Sequence, residues 1–114
     1  MKIDSYSFGN MSVNGKTYEN DLIVYPDKVE PEWWREEGHS LSAKDLEGVI
    51  GYGPDYLVVG RGASSNMAIP DETSKAIEDK GIELLSGGTE EMYEVFNRHM
   101  KEGKKTVGAF HLTC

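Results

Sequence analysis

Disulfides, membrane spans and basic patches are all missing from this sequence. Only one of its 114 residues is a cysteine, Cys114, so no internal disulfide can form and burial must hold the fold. A domain of this length buries roughly two-thirds of the surface its unfolded chain exposes, which is enough for a core without staples. The apolar runs are strand-sized, as in Leu57-Val58-Val59, far short of the roughly 18 to 20 residues that span a bilayer. The segment Met1-Lys2-Ile3-Asp4-Ser5 has neither the apolar centre of a signal peptide nor an Arg-rich transit pattern, so a cytoplasmic protein without membrane contact is expected. Positive charge is also scarce, with 12 Lys and Arg against 20 Asp and Glu and a net charge of −8. The densest basic stretch, Lys101 to Lys105, is interrupted by Glu102. Such a surface repels phosphate backbones, so nucleic acid is not an expected partner. Its acidity serves solubility first.

What is present reads as one α/β domain over residues 1–114. Tyr6 and Phe8 alternate with Ser5 and Ser7 as in a half-buried strand. Asn14-Gly15 carries the signature of a tight hairpin. Leu22 to Tyr25 is a short apolar run stopped by Pro26, and Val29 to Trp34 reads as an extended or edge segment limited by Pro31. Ser42 and Asp45 have capping-box spacing ahead of a helix ending at Gly51. Tyr56 to Val59 is apolar at successive positions, as a strand covered on both faces should be. A flexible loop, Gly60 to Asn66, follows it. Asp71 to Lys80 is a helix and Ile82 to Leu85 a strand. Thr89 caps a helix whose Met92, Val95, Phe96, His99 and Met100 share one face. Thr106 to Leu112 closes the chain as a strand. Alternation of this kind predicts a three-layer α/β domain with a mixed central sheet and an N-terminal antiparallel addition.

The motifs exclude more than they assign. Gly60-Arg61-Gly62 after a buried strand invites a dinucleotide reading, but Ser65 stands where the third glycine belongs and the next helix starts too late. A Walker-type phosphate loop is not expected. His39, His99, His111 and Cys114 are the only soft-metal ligands, and their spacing falls short of a zinc site. His99, on an apolar helix face, reads as a hydrogen-bonded core histidine. No catalytic residue, metal or cofactor is therefore expected. Adjacent tryptophans Trp33 and Trp34 in an extended segment point to opposite faces, placing one indole inside and one outside.

Trp34-Arg35-Glu36 with Gly38-His39, then Val58-Val59-Gly60-Arg61-Gly62, Thr89 with Phe96-Asn97, Glu102-Gly103 and the ending Phe110-His111-Leu112-Thr113-Cys114 together resemble one family of small domains. It includes the adipogenesis-associated domain protein, archaeal and bacterial proteins of unknown function, and a mitochondrial complex I assembly factor. The resemblance spans nearly the whole chain. It implies a three-layer α/β domain, no catalytic residue to carry over, and a role in interaction or assembly. Met92, Phe96 and His99 depart from the family pattern as core substitutions.

The expected function is accordingly a non-catalytic domain that binds a protein partner through Trp34, Arg35, His39 and the Arg61 loop. The alternative is a small anionic ligand or enzyme site at the same strand end. There Gly60, Arg61 and Gly62 would approach an anion, Ser64 or Asn66 would donate hydrogen bonds, and His39 or His111 would move protons, with Cys114 nearby. Self-association through an edge near Val29 to Trp34 is the third possibility.

Overall fold

Asn14 and Gly15 take φ values of 48° and 81°, the positive pair a type I′ turn requires. They join β2 (Asn10–Val13) to β3 (Lys16–Tyr18), and β1 (Ile3–Ser7) pairs with β2 to complete a three-stranded antiparallel sheet. Gly15-Lys16-Thr17 has the ending of a phosphate-loop motif, but Asn10 stands at its first glycine position and the triplet enters a strand. A phosphate loop needs a helix start there. The structure, a computed structural model, describes all residues from 1 to 114.

The main sheet holds five strands in the order β5 (Val29–Glu30), β4 (Leu22–Val24), β8 (Thr106–His111), β6 (Tyr56–Arg61) and β7 (Glu83–Gly87). The β8, β6 and β7 strands run parallel, while β4 and β5 are antiparallel additions. A 3-10 turn (Ala43–Leu46) leads into α1 (Glu47–Tyr52), and α2 (Asp71–Glu78) and α3 (Thr89–Lys101) complete the elements. No helix is long and apolar enough to cross a membrane.

Side-chain alternation along the central strands produces two cores. Ile23, Leu57, Val59, Val107 and Ala109 face one way and meet Leu46, Val49 and Ile77 from the helical layer. Leu22, Val24, Val58 and Phe110 face the other way, toward Phe96 on α3 and Ile3, Met11 and Val13 of the small sheet. The small sheet and α3 thus share one layer, α1 and α2 form the opposite one, and the mixed sheet lies between. This is the expected three-layer arrangement with its antiparallel addition.

Local departures have identifiable causes. Phe8 lies in the turn after β1 and is 63% exposed. An irregularity between Ile3 and Ser5 shifts the alternation, so Ile3 and Tyr6 face the core instead. The helix expected to stop at Gly51 continues to Tyr52, whose ring packs edge-on against Tyr25 at 5.1 Å, and Gly53 terminates it at φ 72°. Thr89 is the first helical residue, after Gly88, and its hydroxyl serves the sheet.

His99 is a buried core histidine, its Nδ1 2.9 Å from the Thr106 hydroxyl and its ring edge-on to Tyr56 at 4.8 Å. Burial first, then the nearby Lys104 and Arg98 charges, push its pKa below the ordinary value against the opposing pull of Glu102 and Glu83. The fold therefore prefers neutral His99. Its contribution is complete above the unfolded value of about 6.5 and is lost as pH falls through that value toward the lower folded one. Urea unfolding at about pH 7.5 and about pH 5.5 should show this loss, and His99→Gln should reduce it. An identical pH dependence in the variant would contradict the assignment.

Candidate functional site

The carboxyl ends of β6, β7 and β8 lie side by side, where open α/β sheets commonly place ligands. Arg61 ends β6 directly opposite His111, which ends β8. Asp21 immediately precedes β4, and because β4 runs antiparallel to β8, it reaches the same end.

The Asp21 carboxylate is the centre of this region. Its Oδ1 accepts the Leu112 backbone N–H at 2.8 Å. Its Oδ2 lies 2.8 Å from Arg35 Nη2 and 2.8 Å from His111 Nδ1. Arg35 Nη2 also donates to the Gly38 carbonyl at 2.9 Å, so its two protons are committed. That count assigns the His111 proton to Nδ1, donating to Asp21. The 3.1 Å approach of Arg35 Nη2 to His111 Nδ1 is then two donors sharing one acceptor. Burial alone would raise the Asp21 pKa, but hydrogen bonds from His111, Leu112 and Arg35, and the Arg35 charge, hold it below the ordinary carboxylate value. Both Arg35 and His111 are buried. The Arg35 guanidinium stacks 4.6 Å from the Trp33 ring, and Arg35 Nε, Nη1 and His111 Nε2 have no protein partner.

The glycine loop is filled by the protein's own chain. A Cβ on Gly62 would collide with the backbone of Cys114 and Thr113, and its φ of 100° also favours glycine. A Cβ on Gly60 would meet Thr89 and Phe110. Ala63 N–H donates to the Thr113 carbonyl at 2.7 Å and Asn66 N–H to the Cys114 carbonyl at 3.0 Å. Thr89 Oγ1 accepts from Gly62 N–H at 2.9 Å and donates to the His111 carbonyl at 2.6 Å. Arg61 Nε donates to the Met67 carbonyl at 2.7 Å, closing its own loop. The segment expected to be flexible is thus pinned to residues 111–114, and Gly60 and Arg61 belong to the strand.

Trp33 is buried, with its backbone N–H on the Asp21 carbonyl at 2.8 Å and its indole Nε1 on the Asp45 carbonyl at 2.9 Å. Trp34, the next residue, is 77% exposed. It borders a cleft of about 390 Å³ shared with Glu19, Asp21, Glu32 and Leu112, and one of about 400 Å³ shared with Glu30, Glu32, Glu36 and Lys44. The residues expected to form a site therefore divide. Arg35, His39, Arg61 and His111 converge, the His39 ring standing edge-on to His111 at 5.7 Å. Gly60, Gly62, Asn66 and Cys114 form the clasp, and Ser64 is exposed on its outer side. None of Gly60, Arg61, Gly62, Ser64 or Asn66 lines any of the four cavities. The two clefts beside Trp34 are walled mostly by carboxylates, a poor match to an anion, and the cavity lined by Lys2 and Lys101 includes none of the expected site residues. Asp21 was missed in the sequence because nothing separates it from nineteen other acids. The four glutamates around Trp34 were missed as well, although the signal was there in part, since Glu30, Glu32 and Glu36 flank the tryptophan pair.

Residues 3–111 match the family described as "Protein of unknown function (DUF498/DUF598)". Among solved structures, a conserved hypothetical protein of Pyrococcus horikoshii is similar, with 25% identity over 100% of both chains and a TM-score of 0.83. A Bordetella parapertussis protein shares 21% identity over 96% of this chain and 92% of its own, with a TM-score of 0.83. A Bordetella pertussis protein described as an Mth938-like domain shares 18% over 97% and 85%, with a TM-score of 0.80. The last two likenesses concern the fold alone. The chain belongs to the DUF498/DUF598 family.

Removing the charge at Asp21 leaves Arg35 buried without its counter-ion. Asp21→Asn should cost about 3 to 5 kcal/mol, whereas Arg61→Met, which loses one hydrogen bond, should cost about 1 kcal/mol. Urea unfolding at neutral pH checks both, and equal costs would contradict the central role of Asp21. The stability that Asp21 lends is complete above the unfolded value of about 3.9 and disappears as pH falls through it toward the lower folded value.

Proposed function

We propose that this DUF498/DUF598 domain is a non-catalytic interaction module that docks a protein partner on Trp34. One observation carries the reading: the indole of Trp34 is 77% exposed between two clefts, while both neighbours in the chain are buried and hydrogen-bonded. An exposed tryptophan on a fixed backbone is a typical anchor of binding surfaces, because it offers large contact area at small entropic cost. The finer resemblance to the adipogenesis-associated protein and the complex I assembly factor supports the same reading, since those members are associated with interaction and assembly. His111 supports it too. Its Nδ1 is committed to Asp21 and its Nε2 is buried, an arrangement suited to holding the segment in place and ill suited to proton transfer with solvent.

Because Trp34 makes so little contact with the rest of the chain, Trp34→Ala should change stability by no more than about 0.5 kcal/mol. A photo-crosslinking benzophenone amino acid at position 34, in the cells that natively make the protein, should give one recurrent adduct with another polypeptide. The same group at Phe8, the other large exposed apolar side chain, should not give it. Identical adducts from both positions, or an adduct only with a second copy of the chain, would overturn the proposal.

A further inference from the structure

The surroundings of Trp34 narrow the chemistry of its partner, an inference that rests on the docking role proposed above. Glu19, Glu30, Glu32 and Glu36 line the two clefts beside the indole, and all four are exposed. The ion pairs of the protein join Arg35 and His111 to Asp21 and Lys104 to Glu102, so none of these four glutamates is neutralised. The two aspartates of the clefts are already occupied: Asp21 by Arg35 and His111, and Asp45 by the backbone N–H groups of Glu36 and Ser42. Lys44 is the one cation lining either cleft. An aromatic face is attracted to an ammonium or guanidinium, and nearby carboxylates add long-range attraction of the same sign. Acidic and phosphorylated segments would meet repulsion from these carboxylates.

We infer that Trp34 and its glutamates receive an extended, lysine- or arginine-bearing segment of a partner protein, one basic side chain lying over the indole and its neighbours reaching the two clefts. The clefts fit this use. Their volumes, about 390 and 400 Å³, lie at the lower end of the range for binding pockets, roughly 300 to 1,000 Å³. The indole stands between them, so an extended chain can cross it and place side chains on both sides. The protein already contains the same pairing internally, in Arg35 stacked on Trp33.

The probe is a short oligolysine peptide, with an oligoglutamate peptide of equal length as control, and the readouts are calorimetry and the shift of the Trp34 indole resonance. Oligolysine should bind at low ionic strength, perturb Trp34 and not Trp33, and weaken as salt rises through a Debye length of about 10 Å at 0.1 M. Trp34→Ala should weaken binding about threefold to fivefold. The pair Glu32→Gln and Glu36→Gln should weaken it about fivefold at low salt, and Phe8→Ala should leave it unchanged. Equal oligolysine binding by the parent and Trp34→Ala would mean a diffuse acidic surface and overturn the inference. A partner crosslinked from position 34 through a segment without lysine or arginine would overturn this inference and leave the docking role standing. Absence of both that crosslink and oligolysine binding would remove both proposals. Sedimentation of a dimer that shields Trp34 would replace the basic partner with a second copy of this chain.

Discussion

One carboxylate, that of Asp21, organises the end of the sheet. It receives the Arg35 guanidinium, the His111 ring and the Leu112 backbone N–H. Asp21 stands just before β4, and its donors come from the irregular stretch after β5 and from the end of β8, so the carboxylate ties a segment outside the regular elements to the sheet. An arginine cannot shed its charge when buried, so Arg35 can lie inside only while Asp21 stays ionised beside it. One of the bonds that lower the Asp21 pKa, that from Arg35, also helps to hold residues 33–38 against the sheet. Trp33 is locked inside by that arrangement, and the alternation of an extended backbone then turns Trp34 outward.

The glycine loop shows how a motif can suggest one chemistry and perform another. Glycine lets backbones approach closely, and in the alternative to a partner surface an anionic ligand would fill that space. The approaching group is instead the segment at residues 113–114, held by hydrogen bonds to Ala63 and Asn66. The Gly-Arg-Gly and His-x-Thr-Cys stretches, both among the residues that carry the family resemblance, are thus two halves of one clasp. Thr89 ties both to the start of α3 by accepting from Gly62 and donating to His111. This clasp keeps β6 and β8 in register at the end where Arg61 meets His111.

The fold was legible where local pattern and burial coincide. Asn14-Gly15 marked the hairpin, the continuous apolar run at Leu57 to Val59 marked a strand covered on both faces, and the spacing of Met92, Phe96 and His99 marked the buried face of α3. The inside-outside division of Trp33 and Trp34 followed from backbone alternation alone. What could not be read depends on partners distant in sequence. Asp21 and His111 are 90 residues apart, and no local property distinguishes Asp21 from other acids. Thr89 looked like a helix cap because a hydroxyl before two glutamates fits that role, but the neighbouring strands claim it first. Phe8 reads as part of the strand because it continues the alternation from Tyr6, but β1 ends at Ser7 and the chain turns at Phe8 and Gly9.

Asp21, through Arg35, holds residues 33–38 against the sheet and so keeps Trp33 inside, and acrylamide quenching tests that claim most directly. In a Trp34→Phe background, Trp33 is the only indole and its shielding reports the attachment of residues 33–38. The parent in this background should be nearly immune to acrylamide. Adding Asp21→Asn should bring quenching close to that of free tryptophan while circular dichroism shows the sheet and helices still folded. Trp33 that remains equally shielded in the folded Asp21→Asn variant would contradict the account, because the segment would then be held by packing without the carboxylate.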